Sequence, residues 1–218
     1  MARVKFLCDV DRCIDCSGCV VACKEGNHVP VGVNRRRVIT LDQGKPGEKS
    51  ISVSCMHCAD APCIAVCPVE AIYQRDDGIV LINKKSCIGC GYCFMACPFG
   101  APQFPRGDIF GARGAMDKCT FCAGGPEENF SVEEKNLYGQ NRIAEGKVPL
   151  CAGMCATKAL LAGDADVLAD VYCRRVFQRG SGVKAWGWSR AYRKERDDNV
   201  CHVARRDAAP IGRSRLGG

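Results

Sequence analysis

Apolar and polar positions alternate only over short stretches of this chain. Residues 2–10 place Val4, Phe6 and Cys8 on one side, the period of a half-buried strand. Val38–Leu41 and Ser50–Val53 read as two more strands, separated by a turn containing Gly44, Pro46 and Gly47. A turn over 74–78 precedes another strand at Ile79–Ile82, and 99–118 reads as a loop followed by a Gly-rich hairpin. The polar stretch Gly124–Gly146 is too long for a tight turn and predicts a loop or helix folded over one face. Residues 164–178 carry a helical period: Val167, Leu168 and Val171 share a face, Asp164 is the N-cap and Gly180 the stop. Short strands mixed with short helices predict an α+β fold. No apolar run approaches the ~20 residues that span a bilayer, so no transmembrane segment is expected. The N-terminus shows neither a signal peptide nor a twin arginine.

Composition changes this picture through one residue. Nineteen of 218 residues are cysteine, close to the level of a cysteine-built scaffold. A disulfide framework fails on parity and on spacing, because sixteen of the nineteen fall into four quartets. Zinc ribbons use paired C-x2-C units, whereas a third cysteine two residues further on suits an iron–sulfur cubane. The cysteines are therefore expected to be metal thiolates, loaded in a reducing compartment.

The quartets are Cys13, Cys16, Cys19, Cys23; Cys55, Cys58, Cys63, Cys67; Cys87, Cys90, Cys93, Cys97; and the split Cys119, Cys122 with Cys151, Cys155. The third, C-x2-C-x2-C-x3-C-P, is the bacterial ferredoxin run. Three closely spaced thiolates hold one cluster and the fourth reaches its neighbour. Gly89 and Gly91 let the loop backbone approach the inorganic sulfides and donate N–H groups to them. That crossing rule predicts four [4Fe–4S] clusters: A on Cys13, Cys16, Cys19 and Cys155; B on Cys55, Cys58, Cys63 and Cys97; C on Cys87, Cys90, Cys93 and Cys67; D on Cys119, Cys122, Cys151 and Cys23. Metal binding in such a chain is also folding energy, so the apo chain is expected to be unfolded or molten.

The quartets also repeat internally. Ala71 and Ile72 follow Cys67 at the offsets at which Ala159 and Leu160 follow Cys155, and Ile14 and Ile88 occupy the same place after the first cysteine of their quartets. Two double-cluster ferredoxin-like units are expected. The outer one comprises 1–53 and 105–172 with quartets one and four. The other, 54–104, carries quartets two and three and is inserted into it. Residues 173–218 form a basic C-terminal arm.

Several residues carry two readings. His57 is either a packed or exposed loop histidine or an N–H donor to a cluster sulfur, and in neither case a ligand. Arg35–Arg37 reads as a solvated surface, with a basic patch facing a partner or a cluster as the sharper alternative. Cys8 reads as a small buried apolar residue, and Cys173 and Cys201 are surplus. Trp186, Trp188 and Tyr192 among arginines suit either a docking arm or a plain tail.

The formal charge of +7 counts thiols as neutral. Four clusters at about −2 each bring the loaded protein near neutrality. Residues 173–218 hold 12 Lys/Arg against 4 Asp/Glu, and residues 1–172 hold 19 against 20. Only the arm is basic, and nucleic acid is not an expected partner. No nucleotide loop and no nucleophile–base pair is present, so the chain has no catalytic site of its own.

Over residues 1–163 the spacings resemble the four-cluster iron–sulfur subunits of the molybdopterin oxidoreductases. Cys87–Pro105, Met116–Gly125 and Tyr138–Asp164 are similar to the formate dehydrogenase iron–sulfur (beta) subunits. The resemblance implies a catalytic partner holding a molybdenum or tungsten bis-pterin cofactor, which oxidises formate or reduces carbon dioxide. It also implies a cytochrome b or other electron-acceptor subunit. The chain departs from that pattern in Ala156 after Cys155, where proline is expected, and in a basic tail replacing a membrane-anchoring helix. The implied location is membrane-associated through partner subunits, on the periplasmic side if co-exported with a twin-arginine partner, or else cytoplasmic. The other readings are an electron-transfer subunit of a different molybdopterin oxidoreductase or a hydrogenase, and a free polyferredoxin.

Overall fold

The computed structural model describes residues 3–105, 114–127 and 130–179. Two of its three two-stranded sheets are local hairpins and the third closes the chain on itself. Strands β2 (Arg36–Leu41) and β3 (Lys49–Ser54) pair antiparallel, Arg36 opposite Ser54 and Leu41 opposite Lys49. Their turn contains Gly44 and Gly47, both at positive φ. Strands β4 (Ile72–Gln74) and β5 (Val80–Ile82) form the second hairpin. Its turn is closed by Gly78 N–H donating to Arg75 O (2.9 Å). Gly78 is required there: its φ is +83°, and a Cβ would lie 2.9 Å from Arg3 Nε.

Strand β1 (Val4–Cys8) pairs antiparallel with β6 (Leu160–Asp164), near the far end of the described chain. Val4 N–H also donates to Asp77 O (3.1 Å), so β1 touches the β4–β5 turn as well. All four expected strands are present. Cross-strand pairing adds one or two residues to β2 and β3 and trims the others, as expected at frayed ends.

The helices are short. They are α1 (Gly18–Gly26), α2 (Pro62–Ala65), α3 (Tyr92–Ala96), α4 (Val132–Tyr138), α5 (Leu150–Gly153) and α6 (Ala165–Arg179). Helix α4 lies within the polar stretch 124–146. Ser131 Oγ caps it by accepting from Glu134 N–H (3.1 Å), while the Glu134 carboxylate accepts from Gly125 and Phe130 N–H (both 3.0 Å). Asp164 Oδ1 caps α6 through Asp166 and Val167 N–H. Residues 173–179 of the expected arm belong to α6; 180–218, with Cys201, Trp186, Trp188 and Tyr192, lie outside the described residues. The expected 99–118 hairpin is described at its ends, where Gln103 and Asp117 exchange both backbone hydrogen bonds (2.8 and 2.7 Å). Among the described residues no helix is long and apolar enough to cross a membrane.

The apolar interior consists of three small groups threaded with thiols. The largest joins Phe121, Ile79, Leu81 and Leu160 to Cys19, Cys23 and Cys151. The second joins Ile72, Val80, Ile82 and Met116 to Cys93, with Cys58, Cys63, Cys67 and Cys87 against it. The third is Cys55, Ala101 and Cys119, with Phe6 and Cys97 against it.

The arginine run corrects the expectation of a solvated surface. Arg35 is 4% and Arg36 2% exposed. Arg35 grips both oxygens of the buried Asp117 (2.5 and 2.8 Å) and donates to Tyr138 O (2.7 Å). Lys84 Nζ reaches the same carboxylate (2.5 Å) and Leu137 O (2.5 Å). Burial pushes the Asp117 carboxyl up, but Arg35 and then Lys84 outweigh it and hold the group below its ordinary value. This network joins the start of β2, the segment after β5, residue 117 and the end of α4. Asp117→Asn would leave two buried cations without their shared anion, and is expected to cost about 3–5 kcal/mol. Anaerobic thermal melting checks this; a melting point equal to that of the parent protein would show that the network does not hold these segments.

Candidate metal centres

The thiols of three of the four sets gather around cavities, and each cavity draws on two separate parts of the chain. Cys13, Cys16 and Cys19, on the loop into α1, share one cavity with Cys155, which follows α5. Cys55, Cys58 and Cys63 share a second with Cys97 at the end of α3. Cys87, Cys90 and Cys93 share a third with Cys67. With their open mouths these cavities measure about 340, 380 and 300 Å³, a similarity that suits one kind of occupant. The fourth set is more deeply buried. Cys23 at the end of α1 faces Cys119, Cys122 and Cys151, and the Asn27 amide nitrogen lies 3.9 Å from Cys23 Sγ and 3.7 Å from Cys122 Sγ. These four groupings are called sets A, B, C and D, as in the sequence assignment.

The sets touch in a row. Cys19 and Cys155 of A share an apolar group with Cys23 and Cys151 of D. Cys119 of D shares one with Cys55 and Cys97 of B. Cys58 and Cys63 of B share one with Cys67, Cys87 and Cys93 of C. The contact order is A, D, B, C.

A common backbone device shapes the loops. The residue two positions after the first cysteine of each quartet is left-handed: Asp15 (φ 55°), His57 (44°), Gly89 (69°) and Phe121 (59°). Only one of the four is glycine, so three accept a strain of about 1 kcal/mol or more each. At one of these positions the N–H points to sulfur: Phe121 N–H lies 3.4 Å from Cys119 Sγ. After two of the fourth cysteines, Ala71 N–H lies 3.3 Å from Cys67 Sγ and Leu160 N–H 3.4 Å from Cys155 Sγ. Such N–H···S bonds stabilise anionic sulfur.

Burial and mutual repulsion act against the bare thiolates. Burial, then the neighbouring Cys119 and Cys122, pushes Cys23 up to about 12. Burial, then Cys87, pushes Cys93 up to about 11, and Cys151 moves the same way. Cys155 ends below its ordinary value, because hydrogen bonds from Leu160, Thr157 and Ala159 overcome its burial. A donor set of this kind ionises only against a cationic partner, so it fits a thiolate-bound metal group. All eighteen described cysteines are free thiols. Among the described residues no three Cys, His, Asp or Glu are gathered as a one-ion site.

Some residues differ from their sequence reading. Cys8 is not merely packed: it lines the cavity of set A and accepts from Ser52 N–H (3.3 Å). His57 is packed, and its Nε2 has no hydrogen-bond partner among the described residues. The residue is 1% exposed, its Nδ1 accepts from Val80 N–H (3.0 Å), and its ring stands edge-on to Phe121. Burial, then Lys118 and Lys5, holds it far below its ordinary value and so neutral. Cys173 lies half-buried on α6, in none of the four sets. Lys118, 1% exposed and lining the cavity of set B, carried no signal beyond its place before Cys119.

Comparison with known proteins agrees with this chemistry. Two profiles described as "4Fe-4S dicluster domain" match residues 49–132 and 12–71. The formate dehydrogenase iron–sulfur subunit of Wolinella succinogenes is 67% identical over 195 residues, covering 88% of this chain and 98% of the relative. The thiosulfate reductase electron transfer subunit of Salmonella typhi is 38% identical over 74% of this chain and 76% of its own length. A subunit of the anaerobic dimethyl sulfoxide reductase of Escherichia coli is 35% identical, over 75% of this chain and 74% of its own length. Two ferredoxin-like dicluster domains, thiol sets in a row and an identity of two residues in three over nearly the whole relative together place the chain in the family of formate dehydrogenase iron–sulfur subunits.

Proposed function

We propose that this chain carries electrons for a formate dehydrogenase through four [4Fe–4S] clusters held by sets A, B, C and D. The observation that carries this reading is the contact row A, D, B, C. Each cluster, when bound, accepts and releases one electron. The chain's own part is to hold the sulfurs, exclude water and place N–H donors and cations around them. On this reading 54–104 is a ferredoxin-like unit inserted into an outer one of 1–53 and 105–172. The β1–β6 pairing, which brackets everything between, supports that arrangement.

The chain's partners follow from what it lacks and what it exposes. It supplies no substrate chemistry, so a subunit with a molybdenum or tungsten bis-pterin cofactor is the proposed electron donor or acceptor at one end. A cytochrome b or another acceptor subunit is proposed at the other. Large apolar side chains stand exposed beside both end sets: Ile14 and Met154 near A, and Ile88 and Met95 near C. A soluble polyferredoxin has no use for such patches at both ends of its row, whereas a subunit clamped between partners buries them. Formate is favoured over thiosulfate or dimethyl sulfoxide because identity to the formate dehydrogenase relative is far higher than to the other two. The proposed location is on the membrane through these partners, on the periplasmic side where the catalytic partner carries a twin-arginine signal, or in the cytoplasm where it does not.

Three measurements test this reading. Anaerobically purified protein is expected to hold about sixteen irons per chain; about twelve or fewer contradicts four cubanes. Cys90→Ala is expected to lose set C and lower the melting temperature of the whole 54–104 unit, since metal binding is folding energy here; an unchanged melting curve refutes it. Isolation of the native complex is expected to yield a pterin-containing subunit and formate-dependent dye reduction, and a complex reducing dye only with another substrate would reassign the partner.

A further inference from the structure

Two buried cations in this fold have no carboxylate partner among the described residues. Arg36 donates from Nη1 to Ser52 Oγ (3.0 Å) and from Nη2 to Ser54 Oγ (2.8 Å), and its guanidinium lies 4.3 Å over the Phe6 ring. Its Nε has no hydrogen-bond partner among the described residues. Lys118 Nζ donates to two backbone carbonyls, those of Val80 and, at 3.3 Å, Cys119. Arg35 and Lys84, in contrast, share Asp117. A full charge buried on hydroxyls and carbonyls alone is costly, so an anion must stand near it in the assembled protein.

The surroundings identify that anion. Arg36 is faced by the thiols of Cys151, Cys119 and Cys23 from set D and Cys19 from set A. The link to A is direct: Ser52 Oγ, which accepts from Arg36, lies 3.3 Å from Cys19 Sγ. Lys118 lines the cavity of set B, faces Cys63, and touches the carbonyl of Cys119, a member of D. One cation therefore stands where A meets D, and the other where D meets B.

We propose that Arg36 and Lys118 are the counter-charges of these two seams, and that they hold up the reduction potentials of the clusters on either side. The inference rests on the four-cluster reading above. Adding an electron makes a cluster more negative, from about −2 to about −3. A fixed cation favours the reduced form more than the oxidised one, so removing it lowers the potential. Both residues are positioning residues that act through the clusters.

The test compares a charge-free with a charge-keeping variant at each place: Arg36→Met with Arg36→Lys, and Lys118→Met with Lys118→Arg. Full-length protein is titrated electrochemically under anaerobic conditions, with the reduced clusters followed by electron paramagnetic resonance and iron counted in parallel. The methionine variants are expected to lower the reduction equilibrium of two components by about tenfold or more, which is about 59 mV for one electron. One component moves in both variants, as D should, and one moves in neither, as C should. Full iron with unmoved potentials overturns the proposal, as does an equal shift of all four components. If a methionine variant loses iron while its charge-keeping counterpart retains it, the charge is what holds the cluster, and the proposal stands. If both lose it, shape and not charge is needed, and the proposal fails. A parent protein without about sixteen irons would instead refute the four-cluster reading on which the inference rests.

Discussion

Sulfur atoms crowded into a poorly hydrated interior repel one another once ionised, and this is the constraint on which the rest of the structure depends. Cys23, Cys93 and Cys151 are all pushed towards the neutral thiol by burial and by their neighbours. A chain of this length can ordinarily fill its core with large aliphatic side chains. Here the three apolar groups are small, and each is laced with cysteines. The strands run three to six residues and no sheet among the described residues exceeds two strands, which is marginal for independent stability. Such elements persist when a bound metal group ties them together, so cofactor loading and folding become one process.

The same constraint explains how distant segments are joined. Each set takes its fourth cysteine from another part of the chain, so no set closes until two parts have met. Set A needs Cys155 from beyond α5, and the β1–β6 pairing brings that residue to the N-terminal strand. The Arg35–Asp117–Lys84 network does the same job with ordinary charges, spanning residues 82 positions apart. Sulfur crossings join quartet one to quartet four and quartet two to quartet three, while the ion network, through Lys84, joins residues of the inner stretch to Arg35 and Asp117 of the outer one. Partial unfolding of one unit would break that network and the apolar group shared by Cys55, Cys97 and Cys119, which favours a cooperative whole.

Much of this was legible in the cysteine spacing, because a ligand set is a matter of a few loop residues and a fixed crossing rule. Sets A, B and C, assembled from spacing, each line one cavity, and the four cysteines of set D face one another. What spacing could not convey was charge burial. A run of three arginines reads as solvated because its counter-charges are invisible nearby: Asp117 lies far along the chain, and thiols count as neutral in any formal tally. The left-handed residue after each first cysteine was hidden for a similar reason. Only Gly89 advertises it, whereas Asp15, His57 and Phe121 adopt the same conformation without the usual residue type. His57, singled out as a possible sulfur donor, is buried with Nδ1 accepting from the β5 backbone, which puts the ring proton on Nε2, an atom with no hydrogen-bond partner among the described residues. Cys8 looked like filler because it stands outside every quartet, although the fold brings it to the wall of set A.

Charge placement then connects folding to electron flow. Residues 1–172 are close to neutral with their cysteines as thiols, and ionising the sixteen thiols of the quartets would make them strongly anionic if nothing compensated. Cluster cores would offset about half of that charge, and the remainder, about −2 for each cluster, would be spread along the row. A row of anionic centres in a low-dielectric core would resist each added electron more than the last. Cations held at the seams, where neighbouring sets approach one another, ease that resistance where an electron must cross. Surface lysines, screened by water and salt, could not do so at the same strength. The burial of Arg36 and Lys118 without carboxylates among the described residues therefore suits a chain that passes electrons along this row.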